Sequence, residues 1–300
     1  MAEETVEHTV TWGELLAETE GLLRRSGIVD NTATEAKWMM EEATGERGAG
    51  LIDLLGMEAT VRGVSHLDQM VERRVAGEPI QYVLGSWAFR TLDLMVDQRV
   101  LIPRPETEVV AGLAIAELDR QRPDGGGIVI DLGTGSGAIG LSIVAERAVS
   151  RVLLTDASRD ALSVARANLA GLGLAGRIVE VAHGSWFGAV PNDLLGECDV
   201  IVSNPPYVRT TDDLPAAVVD WEPATALHAG ADGLEDLNLI VAEASRWLRP
   251  HGALVLEMDP SQVSIVSQRL EAGGFLTEVQ QDLAGLDRAI VARLAGPAQR

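Results

Sequence analysis

Between residues 11 and 27, Trp12, Leu15, Leu16, Leu22 and Leu23 recur at helical spacing, and Ala36, Met39, Met40 and Ala43 repeat the pattern between residues 31 and 44. The front of the chain therefore predicts amphipathic helices. Asn31 or Thr32 supplies the cap of the second, and Ser65-His66-Leu67-Asp68 opens a third that runs to about Val75, where Gly77 and Pro79 stop it. Residues 86–100, SWAFRTLDLMVDQRV, have β-type composition with charges at Arg90, Asp93 and Asp97, which predicts a strand pair. From about Ile128 the period changes again. Apolar runs at 128–131, 152–155, 178–181, 200–203, 253–257, 275–279 and 289–292 are mostly separated by helical segments, the rhythm of a doubly wound α/β domain. Three parts follow: a helical domain over 1–85, a hairpin linker over 86–100 and an α/β domain over 101–300. In such a sheet ligands bind beyond the carboxyl ends of the strands, near the point where strand order reverses, so functional residues are expected just after strands.

Composition narrows the classes. With 300 residues and 46% hydrophobic content the chain can bury a full core, and its length allows two domains. The balance of 24 basic against 45 acidic residues, a net charge of −21, repels a polyphosphate backbone and argues against nucleic acid as a direct partner. The single cysteine, Cys198, cannot form an internal disulfide, and its apolar surroundings mark it as a core residue rather than a reactive thiol. No charged-then-apolar leader and no apolar run of membrane-spanning length is visible, so a cytoplasmic chain without a membrane partner, and a monomer, are expected.

The candidate chemistry sits where the strands end. The first strand leads into IVIDLGTGSGAIGLSIV, residues 128–144, in which Gly133, Gly135 and Gly137 let the backbone approach a ligand at the start of a helix. The spacing differs from the G-x-G-x-x-G of dinucleotide sites, and Asp131 before the glycines disfavours a pyrophosphate while suiting an ammonium group. The second strand ends in Asp156, able to accept from both hydroxyls of a ribose. Together they favour a cationic nucleoside over a dinucleotide. After the third strand, Trp186 and Phe187 stand where an adenine ring needs an apolar wall. The fourth strand ends in SNPPYV, residues 203–208. Asn204 offers an amide acceptor and donor, Pro205 and Pro206 stiffen the chain so that carbonyls can point outward, and Tyr207 adds a stacking face. Such a corner is shaped for a planar NH2 group.

DLGTGSG, Asp156 and NPPY resemble the Rossmann-like class I methyltransferases that use S-adenosylmethionine on planar nitrogens, comprising DNA amino-methyltransferases and protein glutamine methyltransferases. Four further stretches are similar to the PrmC/HemK family of peptide-chain release factor glutamine methyltransferases: GEPIQYVLGSWAF at 77–89, LIPRPETE at 101–108, EPATALHAGADGL at 222–234 and DLAGLDRAIVAR at 282–293. The resemblance implies a seven-stranded, mostly parallel sheet preceded by a small helical domain that recognises the protein substrate. It implies S-adenosyl-L-methionine as methyl donor and S-adenosyl-L-homocysteine as product, with Asp131, the loop Gly133-Thr134-Gly135-Ser136-Gly137, Asp156, Trp186 and Asn204 holding the donor. It also implies transfer to N5 of the glutamine in a Gly-Gly-Gln loop of release factors, held by Asn204, Pro205, Pro206 and Tyr207. The same planar NH2 on adenine in DNA is the alternative substrate. No metal and no general base is required before transfer, so none of the five histidines is assigned to catalysis. Two departures stand out: LEMDPSQ carries Asp259 where the family usually has glycine after the Leu-Glu pair, and Ser185 replaces an acid before Trp186. Arg104 and Glu106 of LIPRPETE are expected to brace the domain junction.

Overall fold

In a computed structural model that describes residues 9–295, contacts divide the chain into two compact units, the first ending at Gly85 and the second beginning at Ser86. The first unit is helical. Helix α1 (Trp12–Ser26) begins at Thr11, whose hydroxyl accepts from the Glu14 N–H while the Glu14 carboxylate reaches back, and it ends at Gly27 with φ 68°. Helix α2 (Thr32–Thr44) is capped by the Asn31 side chain. Two short helices, α3 (Ala49–Leu54) and α5 (Ile80–Leu84), flank α4 (Val61–Val75).

Helix α4 starts a turn earlier than the sequence pattern predicts, because the Thr60 hydroxyl, not Ser65, accepts the first free amide, from Gly63 at 3.1 Å. Gly63 hides that turn from a reading of propensities. A Cβ there would lie 2.3 Å from the Trp12 ring, so close packing against α1 selects glycine over a better helix former. The unit's core is built from Trp12, Leu23, Met39, Met40, Leu67 and Met70.

The second unit opens with the hairpin β1 (Ser86–Phe89) and β2 (Leu92–Met95), paired antiparallel. Phe89 and Leu94 of the hairpin pack into the core of this unit, beside α6 (Pro105–Gln121). Then follow β3 (Ile128–Leu132), α7 (Ala138–Glu146), β4 (Arg151–Asp156), α8 (Arg159–Gly171), β5 (Val179–His183), β6 (Cys198–Ser203), α9 (Ala216–Trp221), α10 (Glu235–Trp247), β7 (Leu248–Glu257), α11 (Val263–Ala272), β8 (Phe275–Gln281) and β9 (Asp287–Leu294). They form one seven-stranded sheet in the order β5-β4-β3-β6-β7-β9-β8, parallel except that β9 runs antiparallel to β7 and β8.

Strand β3 lies between β4 and β6, so the order reverses there. Leu132 at the end of β3 is in register with Ser203 at the end of β6, which brings the glycine loop and the NPPY segment out of the sheet side by side. Strand β6 is buried along its whole length, as expected of a parallel strand covered on both faces. Cys198 is fully buried in it, and burial pushes its thiol up to about 12. The one carboxylate inside β6, Asp199, is compensated by Arg122 and Arg249, each at 2.9 Å, and by the Ile128 N–H, which anchors the start of β3. Among the described residues, no helix is long and apolar enough to cross a membrane.

Candidate active site

Two cavities meet at Asn204. The first, about 470 Å³, runs along the glycine loop past Asp156 to Trp186. The second, about 390 Å³, is walled by Pro205, Tyr207, Leu214 and Val218. Asn204 and Arg104 border both.

The glycine loop follows from its backbone. Gly133, Gly135 and Gly137 have φ of 69°, 56° and 87°, left-handed conformations that an L side chain resists. A Cβ on Gly133 would also stand 3.2 Å from the Trp186 ring. The loop is pinned at several points. Gly135 N donates to Asp156 Oδ2 at 2.9 Å, and the Asn168 amide donates to Ser136 O at 2.8 Å while exchanging hydrogen bonds with the Met95 backbone in β2. Asp156 also accepts from Ser158 N at 2.8 Å; a carboxylate offers about four acceptor positions, so acceptor capacity is left for a ligand. Its burial, the largest influence on it, holds its pKa above the usual carboxylate range.

Asp131 lies elsewhere than its place in the sequence suggests. Expected to face an ammonium group, it is fully buried behind the loop, with Oδ2 accepting from Thr134 Oγ1 at 2.6 Å and from Gly140 N at 2.9 Å. Among the described residues its Oδ1 has no hydrogen-bond partner, and burial pushes the carboxyl up to about 6 against the pull of those two hydrogen bonds. The carboxylate shapes the loop from within. Gly140 is tied to the same arrangement, since a Cβ there would fall 2.2 Å from the Leu154 side chain and 3.0 Å from Asp131 Oδ2. Gly140→Ala is expected to destabilise the fold by about 1–3 kcal/mol through overpacking, seen as a lower Tm in a thermal melt; an unchanged Tm would show that Asp131 and Leu154 yield freely.

The aromatic pair after β5 splits. Trp186 lines the first cavity, held at φ 43° with its indole N–H donating to Asp236 Oδ1 at 3.1 Å. Phe187, expected on the same wall, is instead a core residue, buried and stacked on Trp247 with ring centroids 5.7 Å apart. Asp236, from the first turn of α10, lines the cavity, and no feature of the sequence pointed to it. It places a carboxylate beside Trp186 where Ser185 lacks one.

At the end of β6, Ser203 Oγ donates to Leu132 O at 2.7 Å, fixing the two strand ends together. Asn204 Nδ2 donates to Thr107 Oγ1 at 3.1 Å, so Oδ1 is the end of the amide left for a ligand. Tyr207 donates its hydroxyl to Glu257 Oε1 at 3.2 Å, and burial, with Glu257 beside it, holds the phenol well above its usual pKa. Its backbone carbonyl accepts from Gln262 Nε2 at 2.9 Å. Gln262 belongs to a 3-10 turn, Pro260–Gln262, capped by Asp259, so the departure at Asp259 builds the turn that pins Tyr207. Arg104 pairs with Glu222, which also accepts from Ile102 N at 3.1 Å; this bracing is internal to the second unit. Among the histidines, His183 contacts Ala157 O and His228 has a buried Nδ1 without a hydrogen-bond partner among the described residues, while His8 lies outside them.

A seven-stranded mixed sheet with a glycine loop after β3 and an Asn-Pro-Pro-Tyr corner after β6 defines a Rossmann-like class I methyltransferase. The description "Methyltransferase small domain" matches residues 111–220, and "PrmC N-terminal domain" matches residues 14–85. The release factor glutamine methyltransferase of Deinococcus radiodurans is 37% identical over 94% of this chain and 98% of its own length, and that of Xylella fastidiosa is 42% identical over 76% and 80%. A solved methyltransferase from Pyrococcus furiosus, 18% identical, superposes with a TM-score of 0.51 over 75% of this chain and 98% of that one, in keeping with the fold. The chain belongs to the release factor glutamine methyltransferase family.

Proposed function

We propose that this enzyme transfers a methyl group from S-adenosyl-L-methionine to N5 of the glutamine in the Gly-Gly-Gln loop of peptide-chain release factors, leaving S-adenosyl-L-homocysteine. The observation that carries this reading is the position of Asn204 between two cavities, with its NH2 end engaged by Thr107 and its oxygen left to accept.

The first cavity suits the donor. A backbone cradle that side chains would fill, a carboxylate with spare acceptor positions at Asp156 and the flat face of Trp186 match an aminoacyl chain, a ribose diol and an adenine in turn. When bound, the donor supplies an electrophilic methyl on a sulfonium. Gly133, Thr134, Gly135, Ser136 and Gly137 would hold its methionine part.

The second cavity suits the acceptor. An amide nitrogen is a weak nucleophile because its lone pair is delocalised into the carbonyl, so the site must aim it and stabilise the charge that grows on it. Asn204 Oδ1 and the Pro205 carbonyl each accept one N–H of the substrate amide, which leaves the nitrogen facing the first cavity for an in-line displacement. Tyr207 packs on the amide plane and Pro206 stiffens the corner. Hydrogen bonds to both N–H groups favour the cationic product of transfer, which then loses a proton to water. The helical unit ending at Gly85 would hold the release factor. Adenine in DNA offers the same planar NH2, but a net charge of −21 opposes approach to a phosphate backbone.

Incubation with an unmethylated release factor and S-adenosylmethionine, followed by intact-mass analysis and peptide fragmentation, is expected to show the mass of one added CH2 on the Gly-Gly-Gln glutamine. Unmodified release factor in the presence of demonstrated donor binding would overturn the substrate and direct attention to adenine.

A further inference from the structure

Two carboxylates line the first cavity, Asp156 and Asp236. Asp156 has the ribose diol proposed above, which leaves Asp236. It stands half-buried in the first turn of α10, 50 positions from Trp186. Its neighbour Glu235 does not line the cavity and is packed against Gly230, where a Cβ would meet Glu235 Oε1 at 2.1 Å. The Trp186 ring fixes how Asp236 is presented. At one end of the indole, Cζ3 and Cη2 lie over Gly133, 3.2 and 3.5 Å from the place of a Cβ, while at the other end Nε1 donates to Asp236 Oδ1 at 3.1 Å. The flat wall thus runs from the glycine loop to a carboxylate. An indole owns one N–H and a carboxylate offers about four acceptor positions, so acceptor capacity is left at the rim of the wall. Burial, the largest influence on this carboxyl, raises its pKa, and each N–H it accepts offsets that desolvation. A base lying on Trp186 therefore meets, at its edge, an acceptor that in its ionised form cannot donate. Adenine presents an NH2 on C6 to such a group, whereas a 6-oxopurine presents an oxygen that it repels.

We infer that Asp236 is a specificity-determining residue of the donor site: anchored to the Trp186 N–H through one oxygen, it accepts the 6-amino group of the donor's base and so selects an adenine nucleoside. This rests on the reading of the first cavity as the donor site. Ser185, directly before Trp186, also lines the cavity but brings only a hydroxyl, so the carboxylate at this end comes from α10. An acid in the first turn also steadies a helix N-terminus, a role that is blind to the base.

Calorimetric titration with S-adenosylhomocysteine and with its 6-deamino analogue, in which hydrogen replaces the adenine NH2 and N1 is unchanged, tests this in the wild type, Asp236→Asn, Asp236→Ala and Ser185→Ala. The wild type is expected to prefer S-adenosylhomocysteine by about 10- to 100-fold, the scale of one hydrogen bond to a charged group. In Asp236→Asn the single amide oxygen stays with the Trp186 N–H and the NH2 end faces the base, so the preference is expected to vanish. Asp236→Ala is expected to lose it too, with weaker binding of both ligands because Trp186 is released. A merely structural Asp236 would lower both affinities by the same factor and leave their ratio at the wild-type value, so that ratio retained in Asp236→Asn overturns the proposal. If Asp236→Ala does not fold, as judged by circular dichroism, the nearly isosteric Asp236→Asn decides. A preference lost in Ser185→Ala and kept in Asp236→Asn would give the amino group to Ser185 and equally overturn it. Equal binding of the two ligands by the wild type defeats the assignment of Asp236 alone and leaves the donor site standing. Binding of neither removes the donor site, and the role of Asp236 with it.

Discussion

Replacing Asn204 by alanine is expected to lower methyl transfer by about 10²–10³-fold, the cost typical of removing one preorganised hydrogen-bonding group from a developing charge. Donor binding should survive nearly intact, because the glycine loop, Asp156 and Trp186 stand apart from Asn204 and are pinned by their own partners. Asn204→Asp is the sharper companion. It keeps an acceptor in the same place but cannot donate to Thr107, so it separates the loss of the acceptor from the loss of its anchor. Rate by single turnover and affinity by calorimetry check the split; an alanine variant with a normal rate and weakened donor binding would reverse the assignment of Asn204 from acceptor site to donor site.

Asp156→Ala carries the second large effect. Its carboxylate already accepts from Gly135 N and Ser158 N, so alanine removes both the contact proposed for the ribose and a strut of the loop. Affinity for S-adenosylhomocysteine is expected to fall by about 1–3 kcal/mol, the range for a lost hydrogen bond to a charged group. Asp156→Asn should recover part of it, since the amide oxygen still accepts. Calorimetric affinity equal to wild type in Asp156→Ala would remove Asp156 from the donor site.

Much of this architecture was legible in the chain because its signals are local. Parallel strands buried on both faces read as near-continuous apolar runs, and β6 does so from Cys198 to Val202, interrupted by Asp199. The glycine loop and NPPY were legible for a related reason: positive φ and missing amide hydrogens are properties of single residues in sequence. What escaped is long-range. Thr107 meets Asn204 across 97 positions, and Glu257 meets Tyr207, like Asp236 meets Trp186, across 50. No period or spacing encodes such pairs, which exist only once the sheet aligns its strand ends. Phe187 was misplaced because two adjacent aromatics look equivalent in sequence, while the left-handed backbone at Trp186 leaves one on the cavity and the other in the core. Asp131 reads in the sequence as a ligand contact, an acid before the glycines, while the fold-back of Thr134 and Gly140 onto its Oδ2 is a contact no local pattern announces.

The buried Cys198 has a practical consequence. The chain contains no other cysteine, and this one is inaccessible and held as a neutral thiol at physiological pH. The folded wild-type protein should be silent to maleimides. Any cysteine introduced at an exposed position then becomes a unique attachment point, so a single probe can be placed in either unit without removing a native thiol.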